Sequence, residues 1–467
     1  NALVTDPDNV YGPKLQTGEI VSRGIELEGR ADLTSRLDLA LSYTRQEMEI
    51  TRDTTSLQRA ILDCAEYAVI YTDAEGIIRE SEANAAALFG TKKTVYSAEG
   101  SSLCIRAMLY LALLHARANH KKPVIAAGRN AHKVFMTAAA LLDLDIRWIY
   151  GTESVISCAI TPAQLEDVIV SENPAAVYIT SPDYLGNIAD IKSLSTVCKK
   201  HGVLLLVDNA HGAYLHFLPE PMHPMQLGAD ICCDSAHKTL PVLTGGAYLH
   251  IAHGTPDMFA QRAESAMALF ASTSPSYLIL QSLDAMNPLL ATSFPAQLKA
   301  CAERLDTLKA KLRAHGYALC GEERTKLCLL PKSFGYTGTA LAEILTHSNI
   351  YCEFSDADHL VMMFTPETTP ADFARLERVL LSVLPAPAIL SKPPVPPHAE
   401  RVLSPREALF SPSETLPLSE CENRILADAN VSCPPAVPLA VCGERLTPEV
   451  ISAMEYYGTE HCTVVVE

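Results

Sequence analysis

Asp208 closes the apolar run Val203-Leu-Leu-Leu-Val207, and Lys238 stands just after a second apolar run, Ile231-Cys-Cys233. The 30 residues from one to the other leave room for a crossover, so both side chains can sit at neighbouring strand ends, where open α/β sheets bind their ligands. A third group, Gly100-Ser-Ser102, directly precedes the helical run 103–118. Amides at a helix start, with hydroxyls beside them, hold a phosphate. An amine able to form a Schiff base, a carboxylate able to keep a ring nitrogen protonated and a phosphate cradle are the three demands of pyridoxal 5'-phosphate. Each group also has a plainer use. Asp208 fits a helix N-cap, Lys238 a solvated surface position, and Gly100-Ser-Ser102 an ordinary capping turn. Their occurrence together, in a workable chain order, points to the cofactor.

Positioning these groups falls to a regular alternation that begins near Gly76. Helices are predicted over 81–89, 102–118, 131–142, 163–171 and 193–201. Between them lie short β-branched or apolar runs at 124–126, 146–149, 176–180, 203–207 and 231–233. That rhythm predicts an α/β fold whose mostly parallel sheet is covered on both faces. Beyond Pro288 a long helix, 297–315, leads into strand, helix, strand, strand and helix up to Leu384, the pattern of a smaller α+β domain. The proline-dense stretch 385–397 reads as a semi-rigid connector, and a last module runs from Arg401 to Glu467.

Before Gly76 the texture differs. Ile25 and Leu27 alternate with Glu26 and Glu28, and Leu37, Leu39, Leu41 and Tyr43 alternate with smaller or polar residues. Period two on both sides of Thr34, Ser35 and Arg36 predicts a hairpin that turns there. Residues 56–75 open with a helical pattern (Leu57, Ile61, Leu62) and pass into Tyr67-Ala-Val-Ile-Tyr71. At about twenty residues that piece is too short to bury a ligand cavity of its own.

A chain of 467 residues reads as two or three domains. Hydrophobic residues make up 48% and charged ones 19%, so most of it can bury itself. No apolar run approaches the roughly 18–20 residues of a membrane helix. The apolar stretch 107–114 continues into His115, Arg117, His120 and Lys121, and reads as a buried core helix. A net charge of −17 opposes nucleic-acid binding, which needs a basic patch to neutralise phosphates. The 14 cysteines are scattered and include no CxxC pair. That usage suits reduced thiols in the cytoplasm and argues against a metal site. Residues 1–10 show neither the basic nor the apolar stretch of a secretory signal.

Val207-Asp-Asn-Ala-His-Gly-Ala-Tyr214 resembles the Orn/Lys/Arg decarboxylase family of fold-type-I pyridoxal-phosphate enzymes. So does Ser235-Ala-His-Lys-Thr-Leu240, followed by Thr244-Gly-Gly-Ala-Tyr248. Glu80-Ser-Glu-Ala-Asn-Ala85, Gly128-Arg-Asn-Ala-His-Lys133 and Ser181-Pro-Asp-Tyr-Leu-Gly186 add to the match. Leu403-Ser-Pro-Arg-Glu-Ala-Leu-Phe410, Cys433-Pro-Pro-Ala-Val-Pro438 and Gly443-Glu-Arg445 are similar to that family's C-terminal domain. The resemblance implies an aspartate-aminotransferase-like fold. Its large cofactor domain would be 77–288, its small α+β domain 289–384, its linker 385–400 and its C-terminal module 401–467. It implies that Lys238 carries the Schiff base, Asp208 pairs with the pyridinium and His132 stacks on the ring. Gly100, Ser101, Ser102 and Ser235 hold the phosphate, His211 lies near the ring's oxygen edge, and His237 is a candidate proton donor.

The same resemblance implies decarboxylation of arginine, lysine or ornithine to the amine, as in polyamine metabolism, by a homodimer or higher homo-oligomer. An aminotransferase or another lyase on this scaffold is the alternative enzyme. Aminotransferases of the fold hold the α-carboxylate with an arginine on a small-domain strand; residues 359–365 offer none, which favours the decarboxylase. Residues 1–53 resemble two strands of a TonB-dependent siderophore receptor, too few to close a barrel, and 54–76 resemble the opening of a PAS sensor domain. These pieces stand where the family carries a Pro-Gly-His-Lys motif and a region that helps build the dimer and substrate pocket. A third reading is therefore a non-catalytic composite or truncated chain.

Overall fold

The computed structural model describes residues 76–151, 159–394, 398–433 and 437–466, together with the strand segments 3–4, 15–16, 19–34 and 37–52. The chain divides into two compact units, Asn1–Glu80 and Ser81–Glu467. In the first, the strands Glu19–Thr34 and Leu37–Arg52 form an antiparallel hairpin whose register sets Leu27 opposite Tyr43 and Thr34 opposite Leu37. The reversal thus falls where the alternating pattern puts it. The turn residues Ser35 and Arg36 lie outside the described residues, as do 53–75 of the expected sensor-like piece.

The second unit is built on a seven-stranded sheet. Its strands are β1 (Lys93–Ser97), β2 (Val124–Gly128), β3 (Asp145–Ile149), β4 (Ala176–Thr180), β5 (Leu204–Asp208), β6 (Ile231–Asp234) and β7 (Ala247–Ile251). They lie in the order β1-β7-β6-β5-β4-β2-β3. β7 alone runs against the rest, antiparallel to both β6 and β1. Successive residues point to opposite faces of a strand, and both faces here are apolar. Ile125, Ala127, Tyr178, Leu206 and Cys233 pack with the helices α1 (Gly100–Ala118) and α2 (Lys133–Leu142). Ala126, Val177, Ile179, Leu205 and Val207 pack on the other side with α3 (Pro162–Glu172) and α4 (Ile191–His201). The helices start where the sequence caps them. Thr161 and Gln164 form a reciprocal capping box ahead of Pro162, and Asp190 accepts the amide of Ser193.

Two strands, β1 and β7, fall outside the runs that the hydrophobic pattern predicts. Both carry buried polar side chains in place of a continuous apolar run. His250 on β7 and Thr94 on β1 are fully out of water and bond each other, Thr94 Oγ1 to His250 Nδ1 at 2.8 Å.

The small domain follows. Pro288, where its start is expected, lies inside the helix Tyr277–Ala291. The long helix α5 (Phe294–His315) leads to an antiparallel sheet of β8 (Ala318–Cys320), β9 (Lys326–Leu330), β10 (Phe354–Ser355) and β11 (Leu360–Met363), in the order β8-β9-β11-β10. β8 is one strand more than the pattern predicts; three residues at a sheet edge leave no periodicity to read. Leu305, Leu312, Leu327, Leu345, Leu360 and Phe373 form this domain's core. Residues 385–394 of the proline-rich connector are irregular and are held by amides of Ala386 and Ile389 on the carbonyls of Phe334 and Lys332. The C-terminal module pairs Ser413–Pro417 with His461–Val465. It rests on the large domain through Arg401–Asp145 at 2.6 Å and Arg129–Glu444 at 2.9 Å. Among the described residues no helix is long and apolar enough to cross a membrane.

Candidate active site

The C-terminal ends of β4, β5 and β6 open on one cavity of about 210 Å³. Its wall contains every residue singled out from the sequence: Gly100, Ser101, Ser102, His132, Asp208, His211, Ser235, His237 and Lys238. The sheet explains the meeting. Asp208 is the last residue of β5 and partners Cys233 of β6, after which Ser235 and a single helical turn, Ala236–Thr239, present Lys238.

Asp208 is buried and held from two sides. The Tyr178 hydroxyl donates to its Oδ2 at 3.0 Å and the Ala210 amide to its Oδ1 at 3.2 Å. Lys238 is reachable from the cavity, yet the surrounding walls strip away enough water to push its ammonium below the ordinary lysine value, against the pull of Asp208. Its Nζ lies 3.2 Å from His211 Nε2. Burial holds His211 well below the usual imidazole range, helped by the charges of Lys326 and Lys238. The ring is therefore neutral at pH 7. Its Nε2 faces Lys238, and its buried Nδ1 meets no partner among the described residues.

His132 does two jobs at once. Its Nδ1 accepts the amide of Val134 at 3.2 Å, capping α2, while the ring lines the cavity. The cap fixes the ring's orientation, and burial lowers its pKa. At the opposite end, the first residues of α1 face inward. The Gly100 amide is held by Gly245 O at 2.7 Å, and Ser235 Oγ donates to Ser101 Oγ at 2.7 Å. Gly245 permits this approach, since a Cβ there would lie 2.8 Å from the Ala98 carbonyl and its φ is +102°. His237 is half-buried, with Nδ1 at 3.0 Å from Gly246 O, and burial lowers its pKa too.

Behind the cavity, buried Asp234 joins the strands. Its Oδ2 accepts from His223 Nε2 at 2.9 Å and His250 Nε2 at 3.2 Å, and its Oδ1 from Asn209 Nδ2 at 2.7 Å. Burial alone would raise this carboxyl; the two histidines outweigh it and hold it far below the carboxylate range.

Pyridoxal 5'-phosphate fits these residues. Two polar atoms in the wall, His211 Nδ1 and Thr180 Oγ1, are buried without a protein partner. Three serine hydroxyls and a helix start supply an anion site, and a lysine of depressed pKa faces a buried carboxylate. Sequence reasoning passed over Tyr178, Thr180, Asn130, Asp183 and Tyr184. Thr180 was within reach, because it ends β4 and partners Asp208 directly. Tyr178 was hidden as one apolar-looking residue in a strand.

Comparison with known proteins agrees with this geometry. Residues 70–317 match the family model "Orn/Lys/Arg decarboxylase, major domain". An arginine decarboxylase of Bacillus subtilis is 31% identical over 406 residues, covering 81% of this chain and 80% of that one. An arginine decarboxylase of Halalkalibacterium halodurans is 28% identical over 396 residues, covering 80% and 79%. In fold, the chain is similar to the constitutive lysine decarboxylase of E. coli, with TM-score 0.68, 16% identity and coverage of 88% and 75%. It is also similar to the lysine decarboxylase of Francisella novicida, with TM-score 0.66, 16% identity and coverage of 83% and 72%. With a family model spanning over half its length and a relative matched along most of both chains, this protein belongs to the Orn/Lys/Arg decarboxylases, enzymes that depend on pyridoxal phosphate.

Proposed function

We propose that this chain is a cytoplasmic homo-oligomer that decarboxylates arginine, lysine or ornithine to the amine, as a step of polyamine metabolism. The observation that carries this reading is the meeting of Asp208, Lys238 and the hydroxyl-lined start of α1 in one cavity, with an acidic side chain bonded to Tyr184 of its wall. That acid is Glu353, whose Oε1 accepts from the Tyr184 hydroxyl at 3.0 Å and whose charge acts on Lys238. A carboxylate there suits the distal cation of a basic amino acid. Relatives named as arginine decarboxylases make arginine the first substrate to test. Exposed Leu243 and Leu278, close to the loop after Lys238, suit contact with a second copy.

Lys238 is the residue to hold the cofactor's aldehyde carbon, Asp208 its ring nitrogen, and Ser101, Ser102 and Ser235, with the amides after Gly100, its phosphate. His132 would lie against the ring face, and His211 would present its Nδ1 to the ring's oxygen edge. When bound, pyridoxal phosphate would supply the electron sink for a decarboxylation at the α-carbon. Asp208, fixed by Tyr178 and Ala210, keeps the proton on the ring nitrogen. Lys238, its ammonium destabilised by the cavity walls, or His237 beside it, delivers a proton to the substrate α-carbon. The absence of an arginine on β11 keeps the substrate carboxylate from the strong anchoring that an aminotransferase needs.

The test is direct. The full chain, purified with pyridoxal phosphate, is assayed for CO₂ and amine from arginine, lysine and ornithine, beside Lys238→Ala. One substrate should be turned over, and the variant should lose both turnover and visible absorbance. A keto acid in place of the amine would move the protein to the aminotransferases. A coloured protein inert toward all three substrates would end the reading.

A further inference from the structure

Cys320 and Cys328 are eight residues apart, a spacing with no signature of its own, yet the β8–β9 ladder sets them directly opposite each other. Their sulfurs lie 3.1 Å apart, and both thiols are free. Directly opposed residues of an antiparallel pair have the Cα separation that a disulfide needs. Closing the bond asks the sulfurs to approach by only about 1 Å. β8 is the element able to give that distance, being a three-residue edge strand, whereas β9 is held between β8 and β11. Access is one-sided. Cys320 is half-buried, while Cys328 is buried against Leu185, Phe354 and Val361.

We propose that Cys320 and Cys328 form an oxidation site, a dithiol that a peroxide converts to a cross-strand disulfide and a thiol reductant restores. The Cys320 sulfur attacks one peroxide oxygen, the O–O bond breaks, and water leaves, giving a sulfenic acid. Cys328 Sγ then attacks the Cys320 sulfur, displaces its oxygen as a second water and completes the S–S bond. Two thiols are oxidised by two electrons and one peroxide is reduced. The order of events follows from the site. Cys320 is the reachable sulfur, and its hydrogen bond with Cys328 holds its thiol below the usual range, while Cys328 is pushed up.

The pair reaches the active site through one turn. β8 runs straight into residues 321–325, where the amides of Glu322 and Glu323 both donate to Gly186 O, at 2.7 and 3.0 Å. Gly321 has φ +78° and sits so close to the Leu185 carbonyl that a Cβ would lie 2.3 Å from it. Lys326, at the start of β9, bonds Asp183 O at 3.3 Å. The gripped loop carries Pro182, Asp183 and Tyr184, all in the cavity wall. Displacing β8 therefore moves the wall.

The reduced full chain is treated with hydrogen peroxide, remaining thiols are capped with N-ethylmaleimide, and the protein is digested with trypsin without reductant. Cleavage at Arg313, Arg324, Lys326 and Lys332 separates the cysteines. The bond then appears as peptide 314–324 joined to 327–332, two hydrogens lighter than their sum, and dithiothreitol abolishes it. In Cys328→Ala the linked peptide is lost and Cys320 is trapped by dimedone as the sulfenic acid. Retention of pyridoxal phosphate through gel filtration, read in the visible range, should change by about fivefold on oxidation, revert with reductant, and stay unchanged in Cys328→Ala. Both cysteines recovered capped, while other thiols are oxidised, overturns the site. A linked peptide with unchanged cofactor retention overturns its connection to the cavity.

Discussion

The charge of Asp208 and the charge of Glu353 are assigned different tasks, and each can be removed without changing shape. Asp208→Asn keeps the hydrogen-bonding partners Tyr178 and Ala210 nearby but no longer holds a proton on a ring nitrogen. Turnover should fall by about a hundredfold or more while visible absorbance persists; an unchanged kcat would assign the electron sink elsewhere. Glu353→Gln would remove the charge proposed to meet the distal cation of the substrate. KM should rise about tenfold with kcat nearly constant, and a fall in kcat at constant KM would make Glu353 part of the proton chemistry. The residues legible in the sequence were those whose type is unusual for their place: a lysine and an aspartate at the ends of apolar runs. His132 shows the limit of that reasoning, since capping a helix and lining a cavity are rivals on paper and compatible in space. Tyr178 was illegible because its strand looks uniformly apolar and only the register brings its hydroxyl to Asp208.

Among the elements, the loop after β2 shows how the site depends on a distant module. Arg129 precedes Asn130 and His132 of the cavity wall, and its guanidinium pairs with Glu444 at side-chain exposures of 12% and 2%. It also lies 4.9 Å from the Trp148 ring centroid. Burial pushes the Glu444 carboxyl up, against the pull of Arg129. Arg129→Met leaves that carboxylate buried without a counter-charge, held only by the Val441 amide at 2.9 Å, and should destabilise the protein by about 3 kcal/mol near pH 8. An acid whose folded pKa is raised takes up a proton on folding, so stability falls as pH rises from its ordinary 4.5 through the raised value. The penalty of Arg129→Met should therefore be smaller at pH 5.5 than at pH 8, because protonation of Glu444 relieves the uncompensated charge. Denaturant unfolding at the two pH values measures this, and an equal loss at both would mean that Arg129 acts through packing. The helices and buried parallel strands were legible because capping residues and apolar runs mark them. β1, β7 and β8 were not, because buried polar pairs or an edge position replace the apolar run.

In the whole molecule, all the residues assigned to the cavity belong to the unit Ser81–Glu467. Deleting residues 1–75 should leave cofactor absorbance and the unfolding midpoint of the enzyme unit unchanged; loss of colour would make the first unit part of the enzyme. The topology of the large sheet bears on how such a site comes into being. β1 ends where α1, the proposed phosphate site, begins, and among the described residues its strand partner is β7, so Ser97 pairs with Ala247 and Gly100 bonds Gly245. A chain emerging from the ribosome N-terminus first makes β1 early and then carries it unpaired while most of the domain is still unmade. The closing contact is the most distant in sequence of the pairings in this sheet, the kind that forms late and slowly. A nascent chain halted before Thr244 would already possess Lys238, Asp208 and the serines of α1, and still have no cradle for a phosphate.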